Sequence, residues 1–348
     1  MTKVAIIGGE QSGRTALASK LGKKGNVSDV TMYDFAKSGT VLMIVDATGY
    51  PKHVKPLVTA LNLTDIALLC IPPTGPDVYT GECIVALDML GCRHGVVVLT
   101  KSDLAYSSAL DELKKRIKKI TTGTVLENWD QIAVSTTTFE GMEELKKMID
   151  STGEKVDEEL ARSNELSPRV VIDQVFKVTG IGCVVWGVVK QGTIHVKEKM
   201  TMMPVDKTVE IRSIQMHDVD VKSAVAGARV GLALKNIQSK DVDRGYVISK
   251  NEIVTKDFTL NCTLSRFTKH VAVGVMLHLF VGLQSAPVRV EKIVANGDTV
   301  DYARFGSECI LTLSGSKNIA HIGLDRFILA NLDETQRFVA YGFCSQIP

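Results

Sequence analysis

The chain has 348 residues, 45% of them hydrophobic and 23% charged. At about 150 residues per domain this length predicts two or three domains with sizeable cores, and the composition excludes a disordered chain. With 41 basic and 39 acidic residues the net charge is +2, which excludes a strongly basic protein that coats nucleic acid by bulk charge. RNA recognised by shape through a few local contacts stays open; DNA and membranes are not expected partners. Seven cysteines without a C-x-x-C pair predict reduced thiols in a cytoplasmic protein, not a disulfide framework or a zinc site. The start, "MTKVAIIGG", lacks the apolar stretch of a signal peptide. No run of 18 apolar residues predicts a membrane span.

In chain order, "KVAIIG" (3–8) reads as a short apolar strand. A glycine turn and a helical stretch, "GRTALASKLGKK", follow it. "GTVLMIVDATG" (39–49), "DIALLCI" (65–71) and "GVVVLTKSD" (95–103) read as further buried strands, with helical "GECIVALDML" and "SSALDELKKRIKKI" between them. Continuous Val/Ile/Leu runs separated by helices predict a parallel sheet covered on both faces. Residues 142–165 predict a closing helix that runs into a charged linker. After Pro168 the pattern changes to short alternating strands, with a hairpin turn expected at Asn296-Gly297. The predicted fold is therefore α/β plus all-β: a P-loop-type parallel-sheet domain (1–166) followed by two β-barrel domains (167–254 and 255–348).

"GGEQSGRT" (8–15) comes close to the phosphate-loop pattern G-x-x-x-x-G-K-[ST]. Gly8 and Gly13 allow backbone N–H groups to approach phosphates. Thr15 can ligate Mg²⁺. The lysine slot holds Arg14, which keeps the charge but replaces a point cation with a longer, planar fork. "VDATG" (45–49) ends a strand with Asp46, placed to hold the Mg²⁺ shell through water, and Gly49, whose N–H could meet a γ-phosphate. "LTKSD" (99–103) supplies Asp103 to accept from guanine N1 and N2, Lys101 to cover the ring with its stem, and Thr100 before them. In "VST" (134–136), Ser135 and Thr136 fall where a loop backbone touches guanine O6. Four pieces in this order, each at the end of a successive strand, predict a cavity for GTP or GDP with Mg²⁺.

On these residues the chain resembles the translational GTPases, most of all SelB-type factors of the elongation factor Tu superfamily. "ALLCIPPTGPDVYTGECIVALDMLGCRHGVVVLTKSDL" is similar to the family's segment ahead of its guanine motif. "VIDQVFKVTGIGCVVWGVVKQGTIHV", "IRSIQMHD" and "AGARVGLALKNIQSKDVDRGYVIS" resemble its second domain, and "HLFVGLQSAPVRV" and "DRFILANLD" its third. The resemblance implies a carrier in which the first two domains hold the aminoacyl end of a tRNA and the third holds its stem, with the ribosome as a further partner.

The departures bear on chemistry. The family's lysine is Arg14 here, and its usual Asn is Thr100, an exchange that related GTPases tolerate. The histidine that orients the attacking water in D-x-x-G-H is Tyr50 here, and His53 reads as an ordinary surface residue. The family's switch threonine falls on Val27, with Ser28 adjacent, and only 30 residues separate Thr15 from Asp46. Losing one pre-organised group slows such chemistry by about 10²–10³, so weak or absent GTP hydrolysis is expected. Gln174 stands where SelB-like factors often have a basic residue, and Arg212, His217 and Arg229 are candidate neighbours of a cargo. The sequence stops after the third domain, where SelB proteins usually continue. That ending is expected to remove a reader of structured recoding signals, and it gives the chain a likeness to the pyrrolysine-associated elongation factors. The competing expectation is a non-hydrolysing module, built on a GTPase scaffold, that binds RNA, ribosome or protein.

Overall fold

The structure, a computed structural model, describes residues 1–37, 40–267 and 270–345; Gly39, the first residue of the expected second strand, lies outside them. Two compact units divide the chain, Met1–Val156 and Asp157–Pro348.

In the first unit the elements run β1 (Thr2–Ile7), α1 (Arg14–Leu21), β2 (Lys23–Val27), β3 (Thr31–Lys37), β4 (Thr40–Asp46), α2 (Lys55–Leu63), β5 (Ile66–Ile71), α3 (Val78–Leu90), β6 (Gly95–Leu99), α4 (Ser107–Thr121), β7 (Asp130–Ala133) and α5 (Met142–Ala161). The sheet order is β2-β3-β4-β1-β5-β6-β7. From β4 to β7 the pairings are parallel, as the uninterrupted apolar runs predict, because helices cover both faces. Val4–Ile7, Met43–Val45 and Leu68–Ile71 are fully buried. Each parallel strand ends at the same edge of the sheet, so the loops after β1, β4, β6 and β7 converge there.

Two expectations change. Lys23 and Lys24 do not extend α1; they start β2. The stretch from 23 to 37, read from sequence as a shortened switch segment, is an antiparallel hairpin, β2–β3, added to the sheet edge beside β4. β2 is exposed at every position, and an edge strand without an apolar face leaves no alternation to read. The expected strand at 95–103 stops at Leu99. Lys101 then takes a left-handed conformation, φ 54°, and Ser102–Leu104 form one 3₁₀ turn.

The second unit contains two closed six-stranded barrels. One is built from Arg169–Val178, Gly182–Gln191, Lys199–Met203, Lys207–Met216, Arg229–Lys235 and Val247–Ser249. Its interior holds alternate residues such as Val170, Ile172, Val185, Ile211 and Leu232. The other uses Ile253–Leu264, Met276–Val281, Gln284–Ala295, Glu308–His321, Arg326–Ala330 and Phe338–Cys344. The expected Asn296-Gly297 turn is present, with both residues at positive φ, the geometry that a two-residue hairpin requires. Arg169 ties the barrels together: Nε lies 2.7 Å from Glu252 Oε1, and Nη2 lies 2.7 Å from Asp325 Oδ2.

Candidate functional site

The loop between β1 and α1 curls over the sheet edge and lines a cavity of about 700 Å³ with Gly9–Ala16, Thr48–Lys52 and Lys101. Its shape depends on glycine at one position above all. Gly13, at φ 82°, caps α1 in the left-handed region, and a Cβ there would lie 3.2 Å from Thr100. A side chain at Gly13 would therefore meet both backbone strain and a packed neighbour. Thr100 in turn donates to the Ser12 carbonyl at 2.5 Å. This bond links the guanine-motif loop to the phosphate loop through one hydroxyl.

The phosphate end is crowded with the chain's own groups. Arg14 Nη1 donates to the Gly8 carbonyl at 2.7 Å, and Nη2 donates to the Tyr50 carbonyl. Nε stands 3.3 Å from Asp46 Oδ1, and the guanidinium carbon lies 5.9 Å from the Tyr50 ring centre. Thr15 Oγ1 donates to Asp46 Oδ2 at 2.6 Å. Asp46 is completely buried. Burial pushes its carboxyl above the usual range, while the Thr15 bond and the Arg14 charge pull it back. The Gly49 N–H, expected to face a γ-phosphate, donates instead to the Asp29 carbonyl in the turn of the β2–β3 hairpin at 2.8 Å. Thr48 reinforces that dock through Thr31, Oγ1 to Oγ1 at 3.1 Å.

Tyr50 lines the cavity but runs its hydroxyl into the domain. Its hydroxyl lies 2.9 Å from both the Tyr79 carbonyl and Glu82 Oε2 in α3, and the residue is 1% exposed. Burial holds the phenol far above its ordinary pKa, with Cys83 and Glu82 adding to the effect, so it stays neutral. His53 is exposed. Val27 is exposed at the end of β2, and Ser28 is spent on its own turn, where its N–H donates to the Val30 carbonyl at 2.8 Å.

At the base end, Lys101 reaches the cavity and Asp103 is exposed. Ser135 is buried, and its Oγ accepts from the Thr137 and Thr138 N–H groups at 3.1 and 3.0 Å. Thr136 is half-buried beside it. Ser102 N–H donates to the Val134 carbonyl at 3.2 Å, which joins the two loops. The structure thus gathers Gly8, Gly13, Arg14, Thr15, Asp46 and Gly49 at one end. Thr100 and Lys101 lie in the middle, and Asp103, Ser135 and Thr136 sit on the adjoining loops outside the cavity wall.

Sequence reading missed Asp77 and Glu82. Asp77 caps α3, accepting from Thr80 N–H at 2.7 Å. Its carboxylate packs so closely on Gly9 that a Cβ there would lie 2.4 Å from Oδ2. The capping-box spacing Asp77…Thr80 was the signal for this contact. For Glu82 the signal was an acid directly ahead of the apolar run "CIVAL".

In the barrels, Arg229 pairs with buried Asp173, Nη1 to Oδ2 at 3.0 Å, and lies 5.5 Å from the Trp186 ring centre. Gln174 is half-buried, whereas Arg212 and His217 are exposed.

A P-loop-type sheet carrying this ordered set of strand-end loops, followed by two closed barrels, defines the architecture of a translational GTPase. The comparisons agree. Residues 18–155 match the elongation factor Tu GTP binding domain, and residues 182–249 match elongation factor Tu domain 2, together more than half of the chain. The first match begins past the phosphate loop. The chain is 33% identical over 283 residues to an uncharacterized protein of Methanocaldococcus jannaschii, covering 80% of this chain and 84% of that one. It is 27% identical over 336 residues to the selenocysteine-specific elongation factor of the same organism, covering 92% and 71%. The crystal structure of the elongation factor SelB from Methanococcus maripaludis, in complex with the GTP analogue GppNHp, superposes with a TM-score of 0.86 and 25% identity. That superposition covers all of this chain and 79% of the other. The chain belongs to the elongation factor Tu family of GTP-binding translation factors, on its SelB-like branch.

Proposed function

We propose that the chain is an elongation-factor-like carrier of an aminoacyl-tRNA to the ribosome that keeps a guanine-nucleotide cavity but hydrolyses GTP weakly or not at all. The observation that carries this reading is Tyr50. It stands at the position of the family's water-orienting histidine, yet its hydroxyl is engaged by Tyr79 and Glu82 inside the domain. No side chain at that position is left to align a water. Val27 at the switch-threonine position supports the same reading, because its side chain offers no oxygen. Nucleotide retention is supported by the exposed Asp103, by Lys101 at the cavity wall and by the Thr100–Ser12 bond.

Turnover of labelled GTP with and without ribosomes tests the first part. Background rates are expected, and robust turnover abolished by Asp46→Asn would defeat the reading. Protection of the aminoacyl ester across several charged tRNAs, pyrrolysyl-tRNA among them, tests the second part and names the cargo. A pyrrolysine-associated role is the finer reading, and it fails if another amino acid is protected in preference. The engagement of Arg14 with the chain's own carbonyls favours a second reading, a binding module that needs no nucleotide. Ester protection that is equal with and without GTP would select it.

A further inference from the structure

We propose that Arg14 is a resident cation that replaces Mg²⁺ at this site, so that the phosphate loop and the segment 46–50 are held closed by the chain itself, whatever nucleotide is present. The argument starts from shape. A guanidinium donates in several directions at fixed angles, whereas an ammonium is a single point of charge. Arg14 sets three nitrogens against three partners. Nη1 and Nη2 donate to the Gly8 carbonyl in the phosphate loop and the Tyr50 carbonyl after β4, and Nε stands 3.3 Å from Asp46 Oδ1 at the end of β4 as an ion pair. One lysine nitrogen could not span that set.

Charge leads to the same place. Asp46 is completely buried, and Arg14, 11% exposed, is the cation beside it. A Mg²⁺ ion approaching Asp46 would meet a fixed guanidinium with like charge. Like charges at a buried site oppose one another strongly, because little water screens them. The residues present therefore do not fit the metal that the fold family implies. The Thr15–Asp46 bond alone would not exclude it; the position of Arg14 does.

The remaining contacts close the same region. The Gly49 N–H is taken by Asp29, and Thr48 by Thr31. The hairpin β2–β3 is thus fastened onto 46–50 by Thr48 and by the Gly49 N–H, the group expected from sequence to meet a γ-phosphate. Asp46 Oδ1 has the Arg14 charge beside it and no hydrogen bond, but the bonds that fasten the hairpin, from Gly49 and Thr48, are already made. A third phosphate then adds no differential contact there, and a ligand without differential contacts shifts no equilibrium.

Hydrogen exchange on the full chain tests this directly. Amides of 28–31 and 46–50 should be protected without nucleotide, and Mg²⁺, GDP or a non-hydrolysable GTP analogue with Mg²⁺ should change that protection by less than about twofold. Arg14→Ala should speed their exchange at least about tenfold while β5 and β6 stay protected. Arg14→Lys keeps the charge but not the fork, so it should fall between the two, and it decides the matter if the alanine variant does not fold. Fast exchange in the nucleotide-free protein, or protection that appears only with the analogue and Mg²⁺, would overturn the proposal. A second readout rests on the nucleotide reading above: fluorescent GDP should bind the unaltered chain equally in Mg²⁺ and in EDTA, and Arg14→Lys should acquire a Mg²⁺ dependence. A Mg²⁺ requirement in the unaltered chain would also overturn it. Absence of GDP binding in both buffers would instead defeat the nucleotide part of the proposed function, and hydrogen exchange would still decide the resident-cation claim.

Discussion

The two ends of the cavity depart from the family pattern in opposite ways. At the phosphate end, one exchange, Lys to Arg14, recruits its neighbours. The guanidinium takes the carbonyls of Gly8 and Tyr50 and stands beside Asp46. The hairpin then takes the Gly49 N–H. At the base end, the exchange of Asn for Thr100 changes little. The Thr100 hydroxyl still ties this loop to the phosphate loop, donating to the Ser12 carbonyl at 2.5 Å. Lys101 and Asp103 keep their places on a loop whose backbone is fixed by the Ser102–Val134 bond. At Thr100 a short donor suffices to keep the two loops joined. A position where loops converge is less tolerant, because a longer fork finds partners that the original residue never reached.

That contrast can be broken or sharpened by substitution. Arg14→Ala carries the largest expected effect. It leaves Asp46 buried without its cation, which costs about 3–5 kcal/mol, read as a lowered urea midpoint for the first unit. If the phosphate end merely tolerated Arg14, the loss would be near zero. Asp103→Ala at the exposed base end should leave the urea midpoint unchanged yet weaken guanine-nucleotide binding by about 10–100-fold, the worth of hydrogen bonds to a charged group. An unchanged affinity would mean that the base end is as altered as the other. Tyr50→Phe removes the hydroxyl from Tyr79 and Glu82 and should destabilise by about 1–3 kcal/mol without changing GTP turnover; a change in turnover would restore Tyr50 to the chemistry. Thr100→Val, close in volume, should cost about 0.5–1.5 kcal/mol and speed exchange in the phosphate loop, measured by hydrogen exchange.

The smallest effect concerns pH. Burial raises the Asp46 carboxyl above its unfolded value, so the folded state binds the proton more tightly. Its contribution is full below the unfolded pKa of about 3.9 and is lost as pH rises through the elevated folded value. Urea midpoints recorded across acid pH should show that decline in the unaltered chain and lose it in Asp46→Asn.

Much of the fold was legible. The runs "KVAII", "VLMIVD", "IALLCI" and "GVVVL" are apolar on both strand faces, a pattern that only a doubly covered sheet explains. The barrels were legible through alternation and the Asn296-Gly297 turn. The β2–β3 hairpin was not, because "KKGNV" is exposed on every side and offers no period. For the candidate site, the order of Thr15, Asp46, Thr100, Lys101 and Asp103 along the chain was readable, since each follows a recognisable strand. The direction of a side chain or an N–H was not. Nothing local in "VDATGY" tells that Gly49 serves Asp29 or that the Tyr50 ring faces α3.

By itself, the sequence determined the inventory: an arginine in a lysine's slot, a tyrosine in a histidine's, a valine without a side-chain oxygen, and the strand ends on which each would stand. Covalent order and hydropathy suffice for that, because strand burial is a local pattern repeated every residue or two. Only the tertiary structure decided how the arginine is used. Its partners, Gly8, Asp46 and Tyr50, lie up to 36 residues away, and a side chain's hydrogen bonds are chosen by which carbonyls the packed sheet brings within about 3 Å, a choice made only once the strands have found their neighbours.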